Sequence, residues 1–248
     1  MRITVLGACG AWPEAGSACS GHLVEHDGFR LVMDLGYATF PRLLEHVAAG
    51  RVDAVWISHG HPDHCVDLNP LLRARALGDE PVPALPVFAP PGALDVVLAL
   101  DKPGMLAASY ALHEVVPGDA FEIGPFRAGT RPLPHHVPNA GIRLEADGAV
   151  LAYTGDTGPS PEVVELARGA DLLVAEATYV DEVPGGDAPY LTSARQAGAQ
   201  AARAGAGRLL LTHLWPGTGR EAARRAAEAR FDGETGVAEP GQVIDLGR

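Results

Sequence analysis

Six consecutive residues, His59-Gly60-His61-Pro62-Asp63-His64, place three imidazoles and a carboxylate directly behind an apolar run, Asp53-Ala54-Val55-Trp56-Ile57. That run reads as a strand. Neutral imidazole and carboxylate together suit zinc, and also manganese or iron. Four such side chains this close together seldom arise in a loop that merely faces water. A strand ending in a tight turn lets them fan out around one point beyond the sheet edge, so the fold has to bring further ligands to that point.

Three later segments supply the remaining ligand types, each at the end of an apolar run. Arg131-Pro132-Leu133-Pro134-His135-His136 closes one strand candidate, and Val150-Leu151-Ala152-Tyr153-Thr154-Gly155-Asp156-Thr157 carries an aspartate on a second. Arg208-Leu209-Leu210-Leu211-Thr212-His213 closes a third. The HxHxDH run, the later histidine, the GDT aspartate and the final TH histidine, in this order, resemble the metallo-β-lactamase fold superfamily over almost the whole chain. Four further segments resemble its ribonuclease Z-like phosphodiesterase branch. They are Thr4-Val5-Leu6-Gly7-Ala8-Cys9-Gly10-Ala11-Trp12-Pro13, Leu31-Val32-Met33-Asp34-Leu35-Gly36, Ala175-Glu176-Ala177-Thr178-Tyr179 and Leu191-Thr192-Ser193-Ala194-Arg195-Gln196-Ala197-Gly198. Within that branch, small bacterial cyclic-nucleotide phosphodiesterase-like proteins are the nearest likeness.

The resemblance implies one α/β domain over residues 1–248, a four-layer αββα sandwich of metallo-β-lactamase type. It implies two divalent metal ions, zinc expected and manganese or iron as alternatives. His59, His61 and His135 would hold the first, Asp63, His64 and His213 the second, and Asp156 would bridge them. It further implies a hydrolase in which a hydroxide held between the metals attacks a small phosphodiester, a cyclic nucleotide above all, with Asp63 orienting the hydroxide or taking its proton. His135 and His136 share one turn. Counting back from Gly141-Ile142-Arg143-Leu144, which resembles the family's next strand, puts the metal on His135 and leaves His136 as a substrate contact or as a hydrogen-bond donor behind a ligand. Glu176 and Tyr179 are further substrate-contact candidates, with a structural hydrogen-bonding role as the alternative for the glutamate.

Two departures bear on the substrate. Ribonuclease Z carries a histidine just before the Glu-Ala-Thr segment, where this chain has Ala175, and the chain has a single lysine, Lys102, with no evident basic arm for tRNA. Both point to a small substrate. The rivals are a tRNA 3′-processing endonuclease, a thioester, lactone or β-lactam hydrolase using the same metals, and a non-catalytic metal-binding protein.

The formal charge of −12 gives no general attraction to polyanions, so extended nucleic acid is not an expected partner. Arg220, Arg224, Arg225 and Arg230 sit on one helix candidate, but Glu221 and Glu228 interleave with them, as on a solvated face. No signal-like or membrane-spanning stretch is evident, and the three cysteines, Cys9, Cys19 and Cys65, form no CxxC pair. A cytoplasmic protein is expected, a homodimer by resemblance, with Cys65 buried as a small apolar residue rather than a ligand. With 248 residues, 47% of them hydrophobic, one substantial core is affordable.

Periodicity predicts strands at Ile3–Gly7, His22–Glu25 and Arg30–Asp34, helices at Phe40–Ala49, Asp67–Leu77 and Ala93–Leu100, and a short strand at Val87-Phe88. A strand-rich middle follows from His113 to Val150. Helices are then predicted at Ser160–Ala167, Ser193–Ala204 and near Gly219–Phe231, with a strand at Asp171–Ala175. Ser193 with Gln196 reads as a capping box. The order suggests two related halves. His26 and His46 are expected to face solvent, and His22 and His113 to bond backbone groups.

Overall fold

The computed structural model describes residues 1–247. Two seven-stranded sheets pack face to face. The first contains β1 (Arg2–Gly7), β2 (Gly21–His26), β3 (Phe29–Leu35), β4 (Ala54–Trp56), β5 (Leu85–Ala89) and β6 (Tyr110–Glu114), and the second contains β7 (Ala120–Ile123), β8 (Phe126–Leu133), β9 (Asn139–Ala146), β10 (Ala149–Tyr153), β11 (Leu172–Glu176), β12 (Arg208–Thr212) and β13 (Glu234–Val237). A last strand, β14 (Val243–Asp245), returns to the first sheet and pairs antiparallel with β1. The two halves repeat one plan. The meander β1-β2-β3 is followed by parallel β4, β5 and β6, and the meander β8-β9-β10 by parallel β11, β12 and β13.

Alternation along the strands builds the layers, because successive side chains leave opposite faces. Ala54 and Trp56 enter the core between the sheets with Ile3, Met33, Ile142 and Val174, while Val55 and Ile57 point outward. The outward face is covered by α1 (Thr39–Leu44), α3 (Leu68–Leu77) and α4 (Asp95–Leu98), through Leu43, Leu68, Leu71, Leu72 and Val97. The second sheet is covered by α5 (Pro161–Leu166), α6 (Ala194–Ala204) and α7 (Arg220–Glu228), through Val163, Ala197, Ala201, Ala223 and Ala227. Each large side chain so buried contributes about 1.5–3 kcal/mol. The result is the four-layer αββα sandwich. Among the described residues, no helix is long and apolar enough to cross a membrane.

Parallel pairing aligns the strand ends that carry the polar residues. Met33 pairs with Trp56, Tyr153 with Val174, and Glu176 with Thr212, so the C-terminal ends of β3, β4, β10, β11 and β12 meet at one edge. Two hydrogen bonds cross from sheet to sheet there, from Ala140 N to Ser58 O at 3.0 Å and from Tyr153 OH to Asp34 at 2.6 Å.

Some elements depart from the periodicity. The candidate ligand run is a strand end followed by one helical turn, α2 (Pro62–Cys65), because the fixed φ of Pro62 suits the first helical position. The helix predicted over Phe40–Ala49 ends at Leu44, with the chain extended by Ala48, and that predicted over Ala93–Leu100 shrinks to Asp95–Leu98 behind Gly92, whose φ is 73°. The capping box forms: Ser193 Oγ accepts from Gln196 N, and Gln196 Oε1 accepts from Ser193 N. Cys65 is buried and free. His46 is exposed. His26 is not solvated as expected; its ring is largely covered and lies 3.0 Å from Asp147 Oδ2. His113 is exposed and stacks on Phe88 at 4.7 Å, and His22 is buried with neither ring nitrogen bonded.

Candidate metal centre

The seven side chains expected to hold metal lie together at the shared sheet edge, in two groups that have Asp156 in common. His59, His61, His135 and Asp156 form one, and Asp63, His64, His213 and Asp156 the other, with the ligand atoms of each group within 4.8 Å of one another. In the first, His61 Nδ1 lies 3.2 Å from His59 Nε2 and 3.1 Å from His135 Nε2. In the second, Asp63 Oδ2 lies 3.2 Å from His213 Nε2 and 3.6 Å from His64 Nε2. Asp156 reaches both: Oδ1 is 3.1 Å from His64 Nε2, and Oδ2 is 3.2 Å from His213 Nε2 and 3.7 Å from His135 Nε2.

The partners behind the rings decide which nitrogen faces the cluster. Ser58 Oγ gives its proton to Asp34 Oδ2 at 2.8 Å, so it accepts from His59 Nδ1 at 3.0 Å. Thr178 Oγ1 donates to Glu176 Oε2 at 2.7 Å and accepts from His213 Nδ1 at 3.0 Å. His64 Nδ1 donates to Asp34 Oδ2 at 2.7 Å, and His135 Nδ1 donates to the carbonyl of Tyr190 at 3.0 Å. All four imidazoles therefore turn Nε2 inward, and Asp156 Oδ1 is buried with no hydrogen-bond partner. Lone pairs facing one another across a buried gap are what a divalent cation fits, and the hydrogen bonds behind them are the kind that orient ligating histidines.

The electrostatics separate the two groups of histidines. Burial pushes His59, His61 and His135 below the ordinary histidine value, which favours the neutral form that ligates. Burial acts likewise on His64 and His213, but the facing carboxylates, Asp156 foremost, outweigh it and raise both. Burial raises Asp63 and Asp156, yet the facing rings win and hold both below the usual carboxylate range: His64 first for Asp63, His213 first for Asp156.

Close backbone approach is built into the loops. A Cβ on Gly10 would stand 2.8 Å from His213 Cε1, so a glycine here leaves room for the histidine ring. Gly155, with φ 59°, lets the chain turn at Asp156 where a Cβ would lie 2.6 Å from Asn139 Oδ1.

The substrate-contact candidates fall in different places. His136 is exposed on the rim, its ring 4.4 Å from that of Tyr190. Tyr179 is half-buried, bonds Asp187 Oδ2 at 2.7 Å and packs on Trp215. Glu176 does not suit a pocket role: it is 1% exposed and spends its oxygens on Thr157 N, Thr178 N and Thr178 Oγ1. Burial, followed by the charge of Asp156, pushes its carboxyl up to about 7.

A family model described as a β-lactamase superfamily domain matches residues 31–214, a span that begins just before Asp34 and ends just after His213. The chain belongs to the β-lactamase superfamily. It is 30% identical over 250 residues to YhfI of Bacillus subtilis, a probable metallo-hydrolase, covering 98% of this chain and 99% of that one. The crystal structure of YhfI matches with a TM-score of 0.90 at 29% identity, over 99% of this chain and 98% of that. Ribonuclease Z of Mycobacterium bovis is 32% identical over 267 residues, 96% of this chain and 95% of that protein. This superfamily member is thus a metal-dependent hydrolase of the ribonuclease Z-like branch.

Sequence patterns did not single out the residues that orient the ligands of this hydrolase. Asp34 accepts from Ser58 N, Ser58 Oγ, His64 Nδ1 and Tyr153 OH, all while fully buried. The one available signal was a carboxylate at the end of an otherwise apolar strand. Thr178 and Ser58, as ordinary hydroxyl residues, gave none.

Proposed function

We propose that this hydrolase is a binuclear phosphodiesterase acting on a small phosphodiester, with a cyclic nucleotide as the substrate class and zinc as the ion, manganese or iron being the alternatives. The observation that carries the reading is the sharing of Asp156 between two complete ligand groups. Bound there, two divalent cations supply charge neutralisation for phosphoryl oxygens and lower the pKa of water. The chain's own residues hold the ligand geometry and the proton inventory. Asp63 Oδ2 is fixed by Ala11 N at 2.9 Å and faces His213, which leaves Oδ1 to orient a water or accept its proton. His136, exposed beside His135, is positioned to donate to a substrate oxygen.

Charge supports a small substrate. The net charge is −12, Lys102 is the sole lysine, and the arginines of α7 are tied up: Arg224 bonds Glu221 and Glu228, Arg225 bonds Glu221, and Arg220 bonds Glu239. A long polyanion gains little from such a surface. The second reading, an endonuclease on precursor tRNA, draws on the 32% identity to a ribonuclease Z. Three free cysteines fit a reducing, cytoplasmic setting. A homodimer is proposed from the resemblance alone.

The test is an assay of metal-loaded protein against cyclic AMP, an activated phosphodiester, a precursor tRNA and an activated ester, with His61→Ala as the control. Hydrolysis of the diesters, lost in the variant, is expected. Turnover of the ester alone, or of precursor tRNA alone, overturns the reading.

A further inference from the structure

Three aromatic residues form a row on the His213 side of the metal centre: Trp12 is exposed, and Trp215 and Tyr179 are half-buried. The ring centroids of Trp12 and Trp215 are 6.0 Å apart, and those of Trp215 and Tyr179 are 5.2 Å apart. Each is anchored to the centre by its neighbours in sequence. Trp12 follows Ala11, whose N–H holds Asp63 Oδ2, and the adjacent Gly10 bonds Leu214 O at 3.0 Å. Trp215 stands two residues beyond His213, and Tyr179 follows Thr178, which fixes His213 Nδ1. Tyr179 is in turn held by Asp187, and Tyr190, at the far end of the same loop, gives its carbonyl to His135.

Trp12 is 49% exposed, and the loop under it is pinned by the backbone bonds just described. No arginine or lysine takes part in the row, so it offers neutral π-faces rather than charge.

We propose that Trp12 and Trp215, backed by Tyr179, form a stacking platform for the nucleobase of the substrate. This rests on the phosphodiesterase reading, which seats the phosphate at the metals: Trp215 stands two residues beyond His213, and Trp12 and Tyr179 each follow a residue that bonds a candidate ligand, Ala11 to Asp63 and Thr178 to His213. Base-on-aromatic stacking tolerates every base, because each has a π-face. The platform therefore favours nucleotides over sugar phosphates without demanding one particular base.

The test measures binding by calorimetry to the metal-loaded protein, with AMP and ribose 5-phosphate as probes, in the unaltered chain and in Trp12→Ala, Trp12→Phe and Trp215→Ala. AMP is expected to bind about tenfold more tightly than ribose 5-phosphate. That preference is expected to collapse in both alanine variants and to persist in Trp12→Phe, which keeps a ring. Equal binding of the two probes, failure of both to bind, or an unchanged preference in Trp12→Ala and Trp215→Ala overturns the platform. Turnover is a separate readout. Cyclic AMP hydrolysis with no AMP preference removes the platform and leaves the phosphodiesterase reading. A Trp12-dependent AMP preference without diester hydrolysis does the reverse.

Discussion

Asp34 and His64 are joined by a 2.7 Å hydrogen bond between side chains that are both fully buried. Asp34 sits in the left-handed region, φ 57°, and also takes Tyr153 OH from the opposite sheet at 2.6 Å. One carboxylate thus fixes the ring of a candidate metal ligand and ties the two sheets together behind it. Asn tolerates the same backbone, so Asp34→Asn tests the charge with little strain. Metal affinity is expected to fall about 10–100-fold, as for other residues that orient ligands. Competition with a chromophoric chelator measures it, and undiminished affinity counts against the assignment.

Thr178 relays between Glu176 and His213 in the same manner. Thr178→Val keeps the shape but leaves His213 Nδ1 without a partner and Glu176 Oε2 with only the backbone N–H of residue 178. A loss of about 1–3 kcal/mol in folding stability is expected, together with weaker metal binding. Thr178→Ser is expected to restore both. Urea unfolding and chelator competition provide the two readouts.

Gly10 leaves no room for a side chain. In Gly10→Ala the added carbon would meet both the ring and the carbonyl of His213 at 2.8 Å, so a cost of about 1–3 kcal/mol is expected, with reduced hydrolysis as His213 shifts. Gly129 in β8 has nothing within 4 Å of its Cβ position. Gly129→Ala is the control, expected to stay within about 0.5 kcal/mol of the parent. Equal melting temperatures for the two variants would remove the steric explanation.

His22 predicts an acid-sensitive stability term. Burial lowers its pKa from 6.5 to about 4, and neither ring nitrogen has a partner. Between those values the unfolded chain binds a proton that the folded chain refuses. Its contribution is therefore complete above pH 6.5 and is lost as pH falls toward 4, a change on the order of 3 kcal/mol. In metal-stripped protein, His22→Leu is expected to flatten the stability slope across that window relative to the parent. Parallel slopes would show that His22 does not set it.

The HxHxDH run was legible because its ligands are adjacent in sequence and need only one strand end to meet. Asp156 and His213 were legible only through their place behind apolar runs and through family resemblance, since no local pattern joins residues so far apart. The helical turn carrying Asp63 and His64 was hidden by its length, being shorter than any helical period. The pairing of Val243–Asp245 with β1 depends on where the chain ends meet in space. Asp34, Ser58 and Thr178 act through single hydrogen bonds to residues distant in sequence, and periodicity carries no trace of such bonds. For Glu176 the sequence left a substrate contact and a structural role open, because a strand-end carboxylate reads alike in both; its burial and hydrogen bonds fit the structural one.

The two-metal centre itself is tested by counting ions. Plasma mass spectrometry on the chain, loaded with zinc and freed of excess by gel filtration, is expected to give about two ions per chain, falling in Asp156→Asn because both groups lose the ligand they share. One ion or none in the parent chain, or full retention of two in Asp156→Asn, would contradict a centre bridged by that aspartate.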